Sequence, residues 1–474
     1  MTDRLIVRRR IGDIETPIGA LLKLGADKAG AFLFESIQGG QTLGRFSFIG
    51  TKPRTWFRIL DGRAETADTS DFADATLIDA TPKEALRTFT SRARASASES
   101  LPPMASGAFG YVGYDMIQHV EPVSITARDD LNVPEVLLVI PGVVLIFDHL
   151  YQELLLVGRV FGEDEAATHQ QLDEIENKLA IPAPLSPAKD TPDTLDFTSN
   201  TSKSDYFKMV ETARDYIRAG DIFQVVPSQR LSTDFKYRSI SLYRALRRLN
   251  PSAFMFHMSF GDLRLVGSSP EILVRLREGR VAIRPIAGTR PRSGDEAEDQ
   301  KRAQSLLDDA KEMAEHLMLL DLGRNDVGRV AAYGSVEVTE SFIIERYSHV
   351  MHIVSHVEGD LREGLDAVDV LFAGFPAGTV SGAPKIRAMQ IIDELETARR
   401  GIYGGAVGYF GWQGDLDTCI ALRTAVIKDG ALHIQAGGGV VLDSDPQYEF
   451  DETLHKAGAL QRAANLACLY EFGQ

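Results

Sequence analysis

Gly405-Ala-Val-Gly-Tyr-Phe-Gly411 carries a glycine at every third position, and Gly107-Ala-Phe-Gly-Tyr-Val-Gly113 repeats this pattern in the other half of the chain. Glycines inside a strand-like run indicate that another backbone comes close at those positions. The echo is therefore typical of two halves that contain similar sheets. Chance and the shared composition of β-strands are the alternative explanations.

Strand-like and helical runs surround these two segments. Apolar residues on a 3.6-residue period predict helices at 204–219, 240–249, 297–320, 384–400 and 450–466. Runs rich in β-branched residues predict strands at 222–226, 281–286, 349–357, 420–427 and 432–442. Val136–Phe147 reads as two strands joined at Pro141-Gly142. The predicted fold class is α+β, with large antiparallel β-sheets in a sandwich flanked by helices.

One break in composition divides the chain. Residues 181–204 contain four prolines among Ser, Thr and Asp, a composition typical of a linker or a surface crossing. A chain of 474 residues also exceeds one ordinary core. We therefore predict an N-terminal domain over 1–195 and a C-terminal domain over 200–474.

Charge and cysteine content limit the function class. The net charge of −16 disfavours a nucleic-acid or anionic-membrane surface. The two cysteines, Cys419 and Cys468, cannot form a disulfide framework, and neither has a C-x-x-C partner. The N-terminus lacks an apolar signal core, and the longest apolar stretch is too short to span a bilayer. These features predict a location in the reducing cytoplasm.

Arg284-Pro-Ile-Ala-Gly-Thr-Arg-Pro-Arg292 is the strongest candidate for binding a small anion. Its two prolines restrict the backbone, Gly288 and Thr289 can present donors at close range, and three arginines add positive charge. A rigid, solvated basic loop is the alternative interpretation.

Two acidic helices are candidates for a metal site, because Mg²⁺ prefers a few carboxylates completed by water and substrate oxygens. The acidic residues are Asp308, Glu312 and Glu315 on the first helix and Glu449, Asp451 and Glu452 on the second. Solvated acidic faces and a Glu452–Lys456 helix pair are the alternatives.

Three further features could bind or react. The loop Phe375–Lys385 runs into a helix that Gly401 closes, and its free N–H groups could seat a carboxylate or serve only as a cap. Gly437–Gly439 interrupts a strand, which indicates a close approach or a bulge. Arg423, among apolar strand residues, could clamp a carboxylate or form an internal salt bridge.

The histidines at 349, 352 and 356 could suggest zinc, but the intervening Val and Ile residues favour a strand. Alternation then separates His349 from His352 and His356, and leaves His352 as a candidate single base. No G-x-S-x-G elbow is present, and neither cysteine lies in a Gly-flanked turn. The chain therefore lacks a recognisable glutaminase nucleophile.

Taken together, these segments resemble the anthranilate synthase component I family of chorismate-utilising enzymes. The resemblance runs from about residue 30 to about residue 460 and is strongest after residue 204. The segments that carry it, besides those quoted above, are Gly220-Asp-Ile-Phe-Gln-Val-Val-Pro-Ser-Gln-Arg230, Gly267-Ser-Ser-Pro-Glu271, Ala314-Glu-His-Leu-Met318, Leu322-Gly-Arg-Asn-Asp326, Val350-Met-His352, Tyr403 and Asp451-Glu-Thr453.

The resemblance implies a role for many single residues. Glu315 and Glu452 match the family's Mg²⁺ ligands. Thr379 matches a residue that lines the site, Glu271 the acid that protonates the departing C4 hydroxyl, and His352 the base that removes the C2 proton. The positions that match substrate-binding residues are Gly288, Thr289, Tyr403, Arg423, Gly437, Gly438 and Gly439.

Two positions distinguish reactions within the resemblance. Water-adding isochorismate synthases carry a lysine base where this chain has Gln224, and enzymes that make aminodeoxychorismate typically carry a lysine where it has Ala287. Neither lysine is present, which implies direct amination of chorismate at C2 and release of pyruvate to give anthranilate. The alternatives are aminodeoxychorismate synthase component I, a 2-amino-2-deoxyisochorismate synthase, and an inactive homologue that senses an amino acid.

The resemblance also implies a partner and an inhibitor. Ammonia would come from a separate glutamine amidotransferase subunit, anthranilate synthase component II, in a hetero-oligomer such as α₂β₂. Phe34-Glu35-Ser36 is similar to the family's Leu-Glu-Ser tryptophan motif, and Asn250-Pro-Ser-Ala-Phe-Met-Phe256 is similar to its Asn-Pro-Ser-Pro-Tyr-Met-Phe. The implied regulatory residues are Glu35, Ser36, Ala253, Phe254 and Met255, although the loss of the second proline loosens this loop.

Overall fold

The computed structural model describes residues 3–38, 42–162, 164–183, 191–347 and 350–472. The α-helices are α1 (Pro17–Leu24), α2 (Pro82–Arg92), α3 (Glu165–Leu179), α4 (Lys203–Ala219), α5 (Ser239–Leu249), α6 (Glu296–Leu307), α7 (Ala310–Val330), α8 (Ala367–Gly374), α9 (Lys385–Leu395) and α10 (Pro446–Leu466).

The strands of the N-terminal part are β1 (Asp3–Ile11), β2 (Phe32–Gln38), β3 (Thr42–Leu60), β4 (Arg63–Ala67), β5 (Thr76–Ile78), β6 (Ala95–Ala97), β7 (Gly107–Val112), β8 (Val136–Asp148) and β9 (Glu153–Val160). The later strands are β10 (Thr198–Ser199), β11 (Gln224–Val225), β12 (Ser228–Asp234), β13 (Phe254–Phe260), β14 (Leu263–Ser269), β15 (Ile272–Arg277), β16 (Arg280–Ile283), β17 (Ile286–Pro291), β18 (Glu337–Arg346), β19 (Val350–Asp360), β20 (Gly382–Ala383), β21 (Ala406–Gly411), β22 (Leu416–Ile420), β23 (Thr424–Lys428) and β24 (Ala431–Gly437).

Two long strands, β3 and β8, belong to both of the large sheets. Residues 46–51 of β3 pair with 143–148 of β8, where β2 and β9 extend the first sheet on either side. Residues 55–59 of β3 pair with 136–140 of β8, where β4 and β7 extend the second sheet. Almost all strand pairs are antiparallel, and the β1–β6 pair is parallel. The predicted fold class is confirmed.

The two sheets face each other across an aromatic core, and helices cover their outer faces. Phe32 stacks on Phe109 with ring centroids 4.6 Å apart, and Phe48 meets the edge of Tyr409 at 5.7 Å. Helices α1, α3, α5 and α10 pack on the first sheet, while α2, α7, α8 and α9 contribute to the apolar layer outside the second. This arrangement is the predicted sandwich flanked by helices.

The two glycine-rich segments pair directly with each other, as β7 and β21. Gly110 lies opposite Gly408, and Gly107 lies opposite Gly411. A Cβ at Gly110 would lie 2.0 Å from the carbonyl oxygen of Leu137, so a neighbouring backbone occupies the space of a side chain. The echo therefore marks the place where the early and late parts of the chain share one sheet. The division at 195/200 stays a prediction, and residues 184–190 of the proposed linker lie outside the described residues.

Several predicted boundaries were wrong for local reasons. Val136–Asp148 is one strand rather than two, because Pro141 lies opposite Pro53 where the partner strand has a register shift. The predicted helix 297–320 is two helices, since Asp309 caps a new helix that begins at Ala310. Helix α9 ends at Leu395, so Gly401 does not close it.

Strand 420–427 is also interrupted, because β22 ends at Ile420 and β23 begins at Thr424.

Within the described ranges, no helix is long and apolar enough to cross a membrane. Both cysteines are buried and free.

Candidate active site

A cavity of about 410 Å³ opens where β17, β19, β24, α7 and α10 meet. It is lined by every residue predicted for catalysis, metal binding or substrate binding except Gly438. These lining residues are Gln224, Glu271, Gly288, Thr289, Glu315, His352, Thr379, Tyr403, Arg423, Gly437, Gly439 and Glu452. Side chains from widely separated parts of the sequence thus share one space. Their individual roles stay predictions.

Glu271 is a buried carboxyl group, 6% exposed, that follows strand β14. The hydroxyl of Thr379 donates to its Oε1 at 2.9 Å. Burial raises the pKa of Glu271 to about 8, although the Thr379 hydrogen bond and the Arg423 charge oppose that shift. Glu271 is consequently protonated near neutral pH, as a general acid must be before it reacts.

Arg423 lies in the connection between β22 and β23 rather than within a strand. Its backbone is in the left-handed region, with φ at +47°, where residues other than Gly, Asn and Asp are uncommon. Arg423 is partly buried, and its guanidinium makes no hydrogen bond or ion pair with any residue that the structure describes. Desolvation lowers its pKa, and the charge of Glu271 opposes that effect. A partly buried cation that faces a cavity without such a partner favours an anionic ligand over the alternative of an internal salt bridge.

His352 projects from β19, and its Nδ1 lies 2.8 Å from the carbonyl oxygen of Gly288. Because a carbonyl oxygen only accepts, this contact assigns the proton to Nδ1 and leaves Nε2 as the basic atom. The Thr289 hydroxyl lies 3.1 Å from the same Nδ1. Burial lowers the pKa of His352, so the ring is neutral and able to take up a proton.

Gly288 has a conformation that few other residues would tolerate. Its φ is +66°, and a Cβ there would lie 3.0 Å from Oε2 of Glu312. A side chain at this position would therefore strain the turn that holds His352.

Carboxylates from α7 and α10 meet on one wall of the cavity. Burial raises the pKa of Glu315, and the nearby charges of Glu312 and Glu452 raise it further. Burial and the charge of Glu452 also raise the pKa of Glu449 to about 7. Oε2 of Glu449 is buried and has no hydrogen-bond partner among the described residues. Crowded carboxylates of this kind are suited to a divalent cation.

No group of three or more His, Cys, Asp or Glu residues in the described part of the chain is arranged to hold a metal ion alone. This observation still fits Mg²⁺, which takes one or two carboxylates and fills its other positions with water and substrate oxygens. Glu315 and Glu452 would supply those carboxylates. The alternative interpretation, a Glu452–Lys456 helix pair, is present at 3.3 Å. The metal site stays a prediction.

The end of β24 brings backbone close to the cavity. A Cβ on Gly437 would lie 2.8 Å from the Pro227 carbonyl oxygen, and one on Gly439 would lie 2.6 Å from Nε2 of Gln224. Lys456 donates to the Gly437 carbonyl oxygen at 2.9 Å. The glycines thus allow a close approach of neighbouring groups, which is the first of the two interpretations of this segment.

The arginines of the 284–292 segment do not serve an anion, since each is paired internally. Arg284 pairs with Glu345, Arg290 with Glu312 at 3.0 Å, and Arg292 with Asp299. Gly288 and Thr289 reach the cavity as predicted, and the guanidinium that faces it without an ion pair to a described residue is that of Arg423. The sequence could not show which arginines have partners.

Some candidate residues lie elsewhere. Asp308 ends α6 and bonds to Gln304, so it does not share a helix face with Glu315. Asp451 bonds to Gln447 on the exposed side of α10. Lys385 pairs with Asp326 at 2.7 Å, and only Thr379 of its loop reaches the cavity.

The three histidines do not form a cluster. His356 pairs with Glu358 at 2.9 Å and lines a different cavity from His352. His349 lies outside the described residues.

A second, larger cavity of about 1120 Å³ contains the predicted regulatory residues. Glu35, Ser36, Ala253 and Phe254 line it together with Phe34 and Phe48. Met255 does not line this cavity, but it lies opposite Glu35 in the β2–β13 pair. Pro270 and Ile286 line both cavities.

The cavity of about 410 Å³ also contains polar residues that were not assigned a role from the sequence: Lys311, Gln435 and Tyr448. Gln435 is buried in β24 between Ile434 and Ala436, which are also buried and also line the cavity, so a period-2 pattern could not have singled it out. Lys311 and Tyr448 lie in the first turns of α7 and α10, where no local pattern indicates a ligand.

The sequence matches the family described as chorismate binding enzyme over residues 32–462. It is 48% identical to anthranilate synthase component 1 of Cereibacter sphaeroides over 478 residues, covering 99% of this chain and 96% of that protein. It is 48% identical to anthranilate synthase component 1 of Pseudomonas aeruginosa over 471 residues, covering 96% of this chain and 94% of that protein.

Solved structures agree with this match. Anthranilate synthase component I from Streptococcus pneumoniae superposes with a TM-score of 0.80 at 37% identity, covering 95% of this chain and 98% of that one. The menaquinone-specific isochorismate synthase MenF from Escherichia coli, at 20% identity and a TM-score of 0.72, shares the fold; the match covers 98% of this chain and 95% of that one. The chain therefore belongs to the chorismate binding enzyme family, among the anthranilate synthase component 1 proteins.

Proposed function

We propose that this chain converts chorismate and ammonia to anthranilate and pyruvate, with Mg²⁺ bound in the cavity of about 410 Å³. The observation that carries the proposal is the meeting of three groups in that space: the buried carboxyl of Glu271, whose pKa is raised to about 8, the guanidinium of Arg423, which has no hydrogen-bond or ion-pair partner among the described residues, and His352, whose pKa is lowered. These groups match the three demands of the reaction: protonation of a leaving hydroxyl, binding of a carboxylate and removal of a ring proton.

The reaction balances in two steps. Ammonia adds at C2 of chorismate, the two ring double bonds shift, and Glu271 protonates the C4 hydroxyl, which leaves as water; the new ammonium group then loses one proton. Nε2 of His352 takes the C2 proton, and the electrons of that bond form the third ring double bond as the C3–O bond breaks. The enolpyruvate that leaves takes up one proton on its methylene carbon and becomes pyruvate. Arg423 would hold one substrate carboxylate by paired hydrogen bonds. Thr379 keeps the Glu271 carboxyl oriented through its 2.9 Å hydrogen bond.

Glu315 and Glu452 would hold the Mg²⁺ ion, which supplies positive charge opposite the ring carboxylate of chorismate. The unpaired Oε2 of Glu449 lies beside this pair and supports the same interpretation. Lys456 and Lys311 add positive charge on the same wall and would assist the entry of a dianion against the net charge of −16.

Two neutral side chains support amination over the alternatives. Gln224 is buried in the cavity wall and cannot act as a base toward water. Ala287 is also buried there and offers no amine for a covalent route. An inactive amino-acid sensor is disfavoured, since Glu271, Glu315 and His352 all line the same cavity.

Product identification tests the proposal directly. We expect chorismate, Mg²⁺ and ammonium to yield fluorescent anthranilate and pyruvate in equal amounts. Aminodeoxychorismate as the main product would instead support the first alternative, and accumulation of 2-amino-2-deoxyisochorismate without pyruvate would support the second. No product with any nitrogen source would contradict the proposal.

We also propose that a glutamine amidotransferase subunit, component II, supplies the ammonia in a hetero-oligomer such as α₂β₂. The component 1 name of the relatives supports a second component. A cytoplasmic location is supported by the two free, buried cysteines. Glutamine-dependent activity that appears only after addition of the partner would test the assembly.

Feedback inhibition by tryptophan is proposed for the larger cavity, which has both aromatic and charged walls. Hydrogen bonds link residues 250–253, next to this cavity, to β14, the strand that precedes Glu271. The Ser252 hydroxyl donates to the Ser269 carbonyl oxygen at 2.7 Å, and the Ser268 hydroxyl donates to the Asn250 carbonyl oxygen at 2.6 Å. The backbone N–H of Ser268 in turn donates to the carbonyl oxygen of Arg423 at 3.1 Å. A ligand that moves this loop would therefore disturb the substrate site.

Ala253→Leu tests the inhibitor site. A larger side chain should compete with tryptophan for the cavity, and an overpacking cost of about 1–3 kcal/mol corresponds to roughly 5- to 150-fold weaker inhibition. The measurement is the inhibition constant together with tryptophan binding by calorimetry. Ala75→Leu, at an exposed position that lines neither cavity, is the matched control. Unchanged inhibition in Ala253→Leu would place the inhibitor elsewhere.

Arg423→Met tests the carboxylate clamp. Loss of charge-assisted hydrogen bonds worth about 1.5–3 kcal/mol should raise the KM for chorismate roughly 10- to 150-fold. The thermal midpoint should not fall, because the substitution removes a partly buried charge that has no hydrogen-bond or ion-pair partner among the described residues. Arg248→Met, at an exposed position on α5, should leave KM unchanged. A clear loss of stability in Arg423→Met with normal KM would make Arg423 a structural residue.

A further inference from the structure

A buried ion pair lies behind the wall of the cavity of about 410 Å³ and is not one of the groups that line it. Arg400 is 2% exposed and Glu396 is 8% exposed. The guanidinium donates to both carboxylate oxygens of Glu396, from Nε at 3.0 Å and from Nη2 at 2.6 Å. Neither residue belongs to the set expected to contact substrate or metal.

Arg400 is connected to three separate parts of that wall. Its Nη2 donates to the carbonyl oxygen of Val226 at 2.6 Å, and its Nη1 donates to that of Val380 at 2.6 Å. Val226 follows the strand that carries Gln224, and Val380 follows Thr379 in the chain. The guanidinium also lies 5.4 Å from the ring centroid of Tyr403, within the range of a cation–π contact.

Glu396 extends the same network to a fourth part of the wall. Its Oε1 accepts from the backbone N–H and from the hydroxyl of Ser228, both at 2.8 Å. The Ser228 hydroxyl accepts from Nε2 of Gln435 at 2.8 Å, and Gln435 lines the cavity. One buried pair thus contacts four segments of the chain, at Val226, Ser228, Val380 and Tyr403, each of which contains or adjoins a residue that lines the cavity.

We infer that Arg400, held by Glu396, is a positioning residue that fixes Gln224, Thr379 and Tyr403 relative to one another. This inference rests on the proposed function of the same cavity. The planar fork of arginine can bond a carboxylate on one edge and carbonyl oxygens on another, whereas a lysine ammonium cannot reach all of them.

Stability alone does not account for the pair, because a buried ion pair seldom stabilises a fold more than apolar residues of similar volume would. What the pair supplies is a fixed geometry. The hydroxyl of Thr379 donates a hydrogen bond to the acid Glu271 at 2.9 Å, and the hydroxyl oxygen of Tyr403 lies 3.0 Å from where a Cβ on Gly437 would be. A shift in either would move groups that face the substrate.

The double variant Arg400→Met/Glu396→Gln removes both charges while it keeps the volume and an acceptor for Ser228. We expect the variant to fold with a lower thermal midpoint, because the carbonyl oxygens of Val226 and Val380 lose a donor. In the folded variant kcat/KM for chorismate should fall about 10- to 100-fold, the cost of a small misplacement of reacting groups. We expect an alkaline limb from Glu271 near pH 8 in the rate profile, and this limb should also shift as Thr379 moves. A purely structural role would change neither in a folded variant.

Two further variants make the test decisive if the double variant does not fold. Arg400→Lys keeps the charge next to Glu396, and we expect a similar loss of kcat/KM. Arg400→Ala should recover part of its activity when guanidinium is added, because the ion can refill the space. A folded double variant or Arg400→Lys with wild-type kcat/KM and pH profile would overturn the inference. A wild type that makes no anthranilate would instead count against the proposed function.

Discussion

Replacement of Glu271 by glutamine should lower kcat about 10²- to 10⁴-fold, the usual contribution of a positioned general acid. The substitution keeps the size of the side chain and an acceptor for Thr379, but it removes the proton that the departing hydroxyl requires. The KM for chorismate should change little, since Arg423 and not Glu271 supplies the positive charge. The measurement is steady-state kinetics with ammonium as the nitrogen source.

The pH profile provides the sharper test of Glu271. Because its pKa is raised to about 8, its protonated fraction falls as the pH rises through that value, and kcat/KM should fall with it. Thr379→Val removes a hydrogen bond that stabilises the charged form, so it should move this limb to higher pH. A rate profile of Glu271→Gln that keeps the wild-type alkaline limb would assign the limb to another group.

The free energy of unfolding should also fall as the pH rises. The folded carboxyl binds its proton more tightly than an unfolded glutamate, whose pKa is 4.5, so the free energy of unfolding declines as the pH rises from about 4.5 to about 8. Glu271→Gln cannot ionise and should lack that decline. Thermal midpoints measured across this range would therefore separate a catalytic loss from an unfolded variant.

The sequence was sufficient to predict the sandwich and nearly all of the cavity, for different reasons. Period-2 and period-3.6 patterns depend on local chemistry, so the strands and helices were found even where their ends were misplaced. The cavity residues were found because a resemblance placed them, and no periodicity brings Glu271, His352 and Arg423 together. Partners across the sheets, such as Arg284 with Glu345, involve residues far apart in the chain and left no local signal.

Arg423 shows what sequence reasoning misses at a site. Flanking apolar residues favoured a continuous strand, but the chain breaks there and takes a left-handed turn. The backbone cost of such a turn, of order 1–3 kcal/mol, is borne where it directs a guanidinium into the cavity. Local propensity fails at this position, and the proposed role of Arg423 in binding a substrate carboxylate would account for the unusual conformation.

Glu315→Gln and Glu452→Gln should each abolish Mg²⁺-dependent turnover, with a loss greater than about 100-fold. A bound metal contributes several kcal/mol of charge stabilisation, and each substitution removes one of only two expected carboxylate ligands. Asp451→Asn is the matched control, since Asp451 lies next to Glu452 but bonds to Gln447 away from the cavity. Normal turnover in both glutamine variants would remove the metal from this site.

The affinity for Mg²⁺ should also depend on pH, because the carboxylates that bind it must lose their protons. The pKa of Glu315 is raised and that of Glu449 is raised to about 7, so part of the cluster carries protons near neutral pH. Mg²⁺ requires the deprotonated forms, and its affinity should therefore increase as the pH rises through about 7, with release of protons. Calorimetry in buffers of different ionisation enthalpy measures that release without any catalysis. Glu449→Gln should reduce the number of protons released on Mg²⁺ binding and leave the fold intact. If the wild type binds Mg²⁺ with an affinity independent of pH, the cation is held by groups other than these acids.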